Sequence, residues 1–472
     1  DKFNMGCRFE SYLIHTLQGN TEAAAAAKAE MKALMRGAVH SYLEYAIDYA
    51  SAGMYEEATQ LLSFVAEGNE ATYPMVYYAL GYFASKMGKK DEALNLYKKA
   101  ETMCPDYCFP NKLEEVLMLN DAMSLNPEGA KAPYYLGNFH YAARIYDEAI
   151  ACWEKSASID DTYPTVLRNL SLAYYNKQHN PQKALATLEK AYNLDTTDAR
   201  ILMELDQLYK KLRYPHRQRL DFLEAHADVV EQRDDLCIER ITLYNQLGEY
   251  QKAYDLINSR KFHPWEGGEG KVTSQYLLCR VELAKIAIRE GRFADAVRLL
   301  KETEKYPDNL GEGKLSMAEE NDIHYWMGCA YEGLGEEALA KEYFTKATKG
   351  SAEPAIAFFY NDQQPDKIFY QGLAWRKLGE EDKARSRFNR LIKHGEKHLF
   401  DKVKIDYFAV SLPDLLIWDD DLNVRNQIHC NLVMGMGYLG LGDKEQARKF
   451  LSEVARLDIN HQAGKQLLEM CG

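Results

Sequence analysis

The chain has 472 residues, 46% of them hydrophobic and 27% charged, which is an ordinary balance for a soluble protein with a buried core. No run of about 18 apolar residues is present, so the sequence predicts neither a membrane span nor a membrane partner. The net charge of −13 argues against nucleic acid as the main partner, because neutralising phosphates requires basic surface. Basic or neutral partners are favoured instead.

The nine cysteines form no CxxC pair and no zinc-ligand spacing, so we interpret them as reduced thiols. Cys152, Cys279 and Cys329 fall inside helical patterns, where we expect them to be buried small hydrophobes. Reduced thiols favour a cytoplasmic location, although the compartment is not fixed. The opening, DKFNMGCRFE, lacks an initiator methionine and resembles repeat junctions further along the chain, so we expect a piece trimmed from a longer protein.

The first predicted elements are a helical pair at 12–18 and 21–36, with Gly19 at the turn. The most regular stretch follows at 74–105, PMVYYALGYFASKMGKKDEALNLYKKAETMCP. Two helical periods flank Gly88, a glycine suited to the left-handed conformation that ends a helix. Small residues, Gly81 and Ala93, stand where the two helices must cross closely. The stretch therefore predicts a helical hairpin.

The same pattern recurs to the end of the chain. An alanine at the helix crossing marks each hairpin, at Ala58, Ala93, Ala149, Ala184, Ala253, Ala296, Ala340, Ala384 and Ala447. Each alanine follows a small residue by twelve or thirteen positions, except that Ile241 stands in one hairpin. Most hairpins carry a turn glycine, at Gly53, Gly88, Gly248, Gly291, Gly335, Gly379 and Gly442. The pattern is that of the tetratricopeptide repeat, about 34 residues long. It predicts an all-α, right-handed superhelical solenoid of tetratricopeptide-type hairpins, with a degenerate tenth hairpin at 201–228.

The repeat spacing also divides the array. The hairpins of residues 1–232 are short, apart from an extra helix at 110–125, whereas those of residues 233–472 carry long inserted loops in a continuous array. The loops fall at 259–274, 304–321, 350–366 and 395–426, each after the second helix of a hairpin, so we expect them along one edge. Residues 461–470 would cap the end of the array.

A first candidate surface is the groove lined by the first helix of each hairpin. Projecting the repeat register places a tyrosine-rich set there: Tyr78, Tyr82, Tyr135, Asn138, Tyr141, Arg168, Tyr175 and Asn176. Tyrosine offers a large contact area with a hydrogen-bonding tip, which suits an extended peptide or a sugar. The alternative is that these rings pack between neighbouring hairpins.

The inserted loops are a second candidate. HPWEGGEGK (263–271) and YPDNLGEGK (306–314) share a GEGK ending, and Trp265 and Glu266 could contact a ligand. GEGK is not a phosphate-binding loop, because no Ser or Thr follows the lysine and no strand precedes it. The two loops could equally be rigid connectors.

Acidic residues beside aromatic rings form the third candidate, since such clusters occur in sugar-binding and glycosidase clefts. They include Asp322 and His324 beside Trp326, and Asp362 beside Tyr360. A packed core histidine is the favoured interpretation of His324. Asp419–Asp421 lack calcium-loop spacing, so helix capping or solvation is favoured for them. No HExxH, GxSxG or Cys/His nucleophile arrangement is present, so no catalytic residue, metal or cofactor is predicted.

Six runs carry a further resemblance: RKFHPWEGGEGKV (260–272), DNLGEGKL (308–315), NDIHYWMGCAYEGLG (321–335), FYNDQQPDKIFYQGLAWRKLG (359–379), VKIDYFAVSLPDLLIWDDDL (403–422) and NQIHCNLVMGMGYLGLGD (426–443). With these runs the C-terminal half resembles a family of bacterial proteins in which a tetratricopeptide array follows an N-terminal β-rich domain of unknown function. The resemblance implies the fold and supplies no catalytic residue. It also implies that an N-terminal domain of the same protein is missing from this chain.

The sequence therefore favours a non-catalytic scaffold or binding module for a protein or peptide partner, possible partners including the missing N-terminal domain. The alternative is a carbohydrate-binding or carbohydrate-active protein whose site is formed by the C-terminal loops. An enzyme is the less favoured class.

Overall fold

The computed structural model describes residues 3–66, 73–265, 267–316, 318–355, 364–404 and 417–472, and none of these residues lies in a strand. The chain forms two compact units, unit 1 (Asp1–Asp195) and unit 2 (Thr196–Gly472). The predicted division of the array at residue 232 separates hairpins with short loops from hairpins with long loops. It concerns repeat type rather than compact units, and it stays a prediction. Within the described ranges, no helix is long and apolar enough to cross a membrane.

Unit 1 is a solenoid of helical hairpins, eleven helices being found in its described part. They are α1 Met5–Leu17, α2 Thr21–Met35, α3 Val39–Ser51, α4 Tyr55–Ala66, α5 Met75–Lys86, α6 Lys90–Glu101, α7 Leu113–Leu125, α8 Lys131–Ala142, α9 Tyr146–Ile159, α10 Pro164–Asn176 and α11 Pro181–Leu194. The predicted extra helix is α7, and it is confirmed.

Unit 2 continues with α12 to α25 in its described part. These are α12 Ala199–Lys211, α13 His216–Ala225, α14 Ala227–Val230, α15 Asp234–Gln246, α16 Tyr250–Asn258, α17 Lys271–Arg289, α18 Phe293–Lys301, α19 Asn321–Gly333, α20 Glu337–Ala347, α21 Pro365–Lys377, α22 Glu381–His398, α23 Leu422–Leu441, α24 Lys444–Leu457 and α25 Gln462–Met470. All nine predicted hairpins and the degenerate tenth, α12 with α13, are present. A 3-10 turn, Asp308–Leu310, lies in the second insertion.

Five of the hairpins owe their close crossing to a glycine that faces a bulky side chain. A Cβ added to Gly81 would lie 2.5 Å from the ring of Tyr97, four residues after the buried crossing residue Ala93. Only a residue without a side chain lets the two helices approach this far while the ring fills the space between them. The same pairing recurs at Gly137 and Trp153, Gly328 and Phe344, Gly372 and Phe388, and Gly435 and Leu451.

The turns between paired helices confirm the predicted role of glycine. All seven predicted turn glycines have a φ between 73° and 87°. Three hairpins without a turn glycine keep the same backbone shape, with Arg144 at φ 63°, His179 at φ 51° and Arg213 at φ 62°. The shape of the turn is thus set by the hairpin rather than by the residue in it.

Helix ends differ from the sequence prediction in two places. The prediction that the first helix begins at residue 12 is wrong, because α1 begins at Met5, where the Asn4 side chain accepts from the Cys7 N–H. The insertion predicted from residue 395 begins later, because α22 continues to His398. Most of this last insertion, residues 405–416, lies outside the described residues. Asp421 caps α23 by accepting from the Asn423 N–H, as the capping interpretation predicts.

Candidate functional site

The predicted groove residues of unit 1 all lie on the first helices α5, α8 and α10, but they differ in accessibility. Tyr78 and Tyr135 are each 0% exposed, and their ring centroids lie 5.9 Å apart. The expectation that these two rings face an open groove is therefore corrected in favour of packing between hairpins.

A half-buried carboxylate, that of Glu101, explains the position of Tyr78. Its hydroxyl donates to Glu101 Oε1 at 2.8 Å, and Glu101 also accepts from the backbone N–H of Lys131 at 2.9 Å and of Ala132 at 3.3 Å. Glu101 thus caps the start of α8 while it holds a ring from α5. Burial and the Glu101 charge raise the pKa of Tyr78 well above its ordinary value. This tyrosine stabilises the junction between two hairpins.

Three of the predicted tyrosines, Tyr82, Tyr141 and Tyr175, are half-buried and keep part of their surface accessible. The Nζ atom of Lys86 lies 5.1 Å from the Tyr82 ring centroid. Tyr141 packs its ring against Trp153, with 5.2 Å between centroids. These contacts orient the rings on α5 and α8 and limit the side-chain entropy that binding would remove.

Polar side chains connect α8 to α10. Asn138 Oδ1 accepts from Trp153 Nε1 at 3.1 Å and from Asn169 Nδ2 at 3.2 Å, and Asn169 accepts in turn from Arg168. Asn138, Arg168 and Asn176 are half-buried. The hydrogen-bonded row of Asn138, Asn169 and Arg168 fixes amide and guanidinium groups on the two helices that carry Tyr141 and Tyr175. The sequence analysis missed Asn169, which occupies the register position that Tyr135 has in α8.

Helix α7 interrupts the stacking of first helices in unit 1. It packs against both α5 and α8. Its Asp121 accepts from the Ser85 hydroxyl at 3.2 Å and from the Tyr97 hydroxyl at 2.6 Å. Helix α7 is therefore held both against the hairpin of α5 and α6 and against α8.

The two GEGK insertions interlock in unit 2. The Phe262 N–H donates to Asn309 O at 2.7 Å, and the Gly270 N–H at the start of α17 donates to both oxygens of Glu312 at 3.1 Å. Trp265 is half-buried against Gly268, where an added Cβ would lie 2.0 Å from the indole. These contacts favour the connector interpretation. Glu266 lies outside the described residues, as do Tyr360 and Asp362.

His324 lies half-buried on α19, with its ring centroid 6.1 Å from that of Tyr343. Burial lowers the pKa of this imidazole, which favours its neutral form. In the part of the chain that the structure describes, no cluster of three His, Cys, Asp or Glu side chains could hold a metal ion. A ligand-binding role for His324 stays a prediction.

A row of paired charges runs along the first helices α17, α19 and α21 of unit 2. Lys367 Nζ lies 2.5 Å from Asp322 and 3.3 Å from Asp366. Burial opposes the lysine charge, but the two carboxylates outweigh burial and raise the pKa of Lys367. Lys285 pairs with Glu282 at 2.6 Å. Asp322 was a candidate from the sequence, whereas Lys285 and Lys367 were not predicted, although they also lie on first helices.

One cavity of about 490 Å³ opens beside the second insertion. Its aromatic lining is Tyr254, Tyr276 and Tyr306, and its charged lining includes Lys305 and Glu302. The Tyr276 hydroxyl donates to Glu302 O at 3.1 Å. The cavity thus combines rings with charged groups at the edge of the array.

Comparisons with known proteins support the assignment of the repeats. Two family models, both described as tetratricopeptide repeat, match this chain, one at residues 76–107 and 322–349 and the other at 368–394. The matched residues are the hairpins α5 with α6 and α19 with α20, and most of α21 with α22. Nothing in these comparisons supports the resemblance to the bacterial family with an N-terminal β-rich domain.

Among solved structures, MamA is similar at 21% identity over 39% of this chain and 95% of its own, with a TM-score of 0.20. The pilF protein of Pseudomonas aeruginosa is similar at 19% identity over 47% of this chain and 90% of its own, with a TM-score of 0.28. The TPR domain of P58(IPK) has 14% identity over 92% of this chain and 97% of its own, with a TM-score of 0.22. Scores this low carry no information on function. The hairpin geometry and the family models together show that the chain is an all-α solenoid of tetratricopeptide repeats.

Proposed function

We propose that the chain is a non-catalytic scaffold that binds a protein or peptide partner through the first helices of its repeats. Tetratricopeptide solenoids generally present extended binding surfaces of this kind. The observation that carries the proposal is the accessible surface on α8 and α10, where Tyr141 and Tyr175 lie on the same two helices as the hydrogen-bonded row of Asn138, Asn169 and Arg168. We call these five residues the α8–α10 surface.

The chemistry of the α8–α10 surface suits an extended polypeptide. Partly exposed tyrosine rings supply contact area at a low entropic cost, and they are frequent among the residues that dominate binding energy. Amide and guanidinium groups can bond to main-chain groups of a partner. The net charge of −13 favours a basic or neutral partner. A peptide, a separate protein or a further domain of a longer chain would each meet this surface in the same way.

The proposal is tested by selecting peptides from a displayed random library on the immobilised chain and measuring Kd by fluorescence anisotropy. We expect Tyr141→Ala and Tyr175→Ala each to weaken the selected peptides about tenfold or more, because an anchoring aromatic contributes more than ~1 kcal/mol. Tyr107→Ala is the matched control, since Tyr107 is 88% exposed outside any first helix. Equal losses in all three variants, or losses accompanied by reduced helical circular dichroism, would contradict the proposal.

A second candidate, the binding of a carbohydrate, is favoured by the cavity beside the second insertion. Tyrosine rings can stack on sugar faces, and the lysine and glutamate at its rim can bond to hydroxyl groups. The tyrosines Tyr254, Tyr276 and Tyr306 supply the rings. Trp265 belongs to the same prediction but does not line this cavity, and Glu266, Tyr360 and Asp362 lie outside the described residues.

Glycan-array binding tests this second candidate. We expect a signal from the wild-type chain that Tyr306→Ala removes and Tyr438→Ala retains, because Tyr438 is stacked on Phe450 away from the cavity. A saturating screen without signal would exclude carbohydrate binding.

A further inference from the structure

An asparagine near the C-terminus of unit 2 makes contacts with residues more than two hundred positions earlier. Asn460, in the connection between α24 and α25, lies between α12, α13 and α15. Its Oδ1 accepts from Arg219 Nη1 at 3.3 Å and lies 3.2 Å from His216 Nε2, while its Nδ2 donates to Lys210 O at 3.4 Å. Its backbone carbonyl accepts from Gln246 Nε2. Both the side chain and the backbone carbonyl of Asn460 are thus hydrogen-bonded to residues of these helices.

The groups that surround Asn460 form a built, buried site. Arg219 is 1% exposed and makes two bonds to Asp206, at 3.0 and 2.7 Å, and one to Glu239 at 2.7 Å. Lys210 Nζ lies 2.9 Å from Glu239. Asp206 and Glu239 bind the Arg219 guanidinium and so fix its orientation. Its Nη1 then donates to the Asn460 carboxamide oxygen.

Neighbouring residues extend the contact along the connection. Arg213 Nη2 donates to Leu457 O at 2.9 Å, and the amides of Gln275 and Gln462 bond reciprocally at 2.9 and 3.1 Å. Lys465 donates to Gln246 O. The connection therefore occupies polar groups on three first helices, α12, α15 and α17. These are groups of the kind that a partner would meet on an uncovered array.

One polar atom of Gln246, which contacts this connection, is left without a hydrogen-bond partner among the described residues. Gln246 is 4% exposed, and its Oε1 is buried without a hydrogen-bond partner among the described residues. A ligand that also donates to this oxygen would gain an interaction that the connection does not supply. A ligand with such a donor would therefore compete with the internal segment for this site.

We propose that Lys210, His216, Arg219 and Gln246 form a recognition site for asparagine-containing peptide, and that residues 457–465 occupy it as an autoinhibitory latch. Release of the latch uncovers the polar groups of α12, α15 and α17. The inference rests on the proposed function only in taking first helices as partner-binding surfaces. Its test uses residues of unit 2, so it is independent of the tyrosine variants of unit 1.

Hydrogen exchange of the full chain tests whether the latch is released. We expect Asn460→Ala to speed amide exchange at least tenfold in α25 and also in the ends of α12 and α15, while α19 is unchanged. Asn258→Ala is the matched control, because the Asn258 amide donates to Tyr254 O within its own helix, α16. Faster exchange confined to the residues beside Asn460, or equal effects in both variants, would overturn the latch. Should Asn460→Ala lose its helical circular dichroism, Gln462→Ala replaces it, since that change removes only the amide pair.

A labelled synthetic peptide of residues 456–465, RLDINHQAGK, tests the recognition site. We expect fluorescence anisotropy to detect binding to the Asn460→Ala chain and none to the wild-type chain, whose site is occupied. The same peptide with alanine at position 460 should not bind. Failure of the asparagine peptide to bind the released chain, or equal binding of both peptides, would overturn the recognition site.

Discussion

Single residues set the geometry of each hairpin in this chain. Gly81 touches the Tyr97 ring so closely that no side chain fits, and the same relation joins Gly137 to Trp153. Turn residues are held at positive φ whether or not they are glycine, as Arg144 demonstrates. A non-glycine residue in the left-handed region is strained by roughly 1–2 kcal/mol. Strain of this kind is therefore stored at identifiable positions in the array.

The strain at Arg144 predicts a stabilising substitution. Arg144→Gly should raise the free energy of unfolding by about 1 kcal/mol, because glycine adopts this conformation freely and the exposed arginine side chain loses little packing. Thermal unfolding monitored by circular dichroism should show a midpoint higher by roughly 2–4 °C. This is the shift that about 1 kcal/mol causes in a cooperatively unfolding domain of about the length of unit 1. Gly88→Ala, the reverse change at φ 80°, should lower it. An unchanged or lower midpoint for Arg144→Gly would show that the turn is not strained.

Whole elements are positioned by contacts that bridge insertions. Helix α7 is fixed against α5 through Asp121. Helix α17 begins where a glutamate from the next insertion, Glu312, accepts from the Gly270 N–H. The first GEGK loop offers an equivalent glutamate, Glu269, but that side chain is exposed. Two copies of one motif thus have different structural roles.

This difference between the two copies gives a matched pair of variants. Glu312→Ala should destabilise unit 2 by about 1–2 kcal/mol, because it removes the acceptor that caps the start of α17 and joins the two insertions. Urea unfolding followed by circular dichroism measures the change. Glu269→Ala should alter stability by less than about 0.5 kcal/mol, as expected of an exposed side chain. Similar losses in the two variants would contradict the capping role of Glu312.

At the scale of the whole molecule, local patterns were predictable and distant contacts were not. Crossing glycines and turn glycines lie in the same hairpin as their partners, so the sequence predicted the hairpins and α7. The burial of Tyr78 depends on Glu101 and Tyr135, which lie on α6 and α8. The contact of Asn460 with His216 spans 244 positions. Repeat register does not encode such contacts, because it describes one hairpin and its neighbour.

The central claim is that partners bind to first helices, and a hydrogen-exchange footprint tests it most directly. The chain would be measured with and without a saturating library-selected peptide. We predict slower exchange in α8 and α10, whose Tyr141 and Tyr175 belong to the α8–α10 surface, and no change in the second helices α9 and α11. Protection of α9 and α11 with α8 and α10 unchanged would contradict the claim.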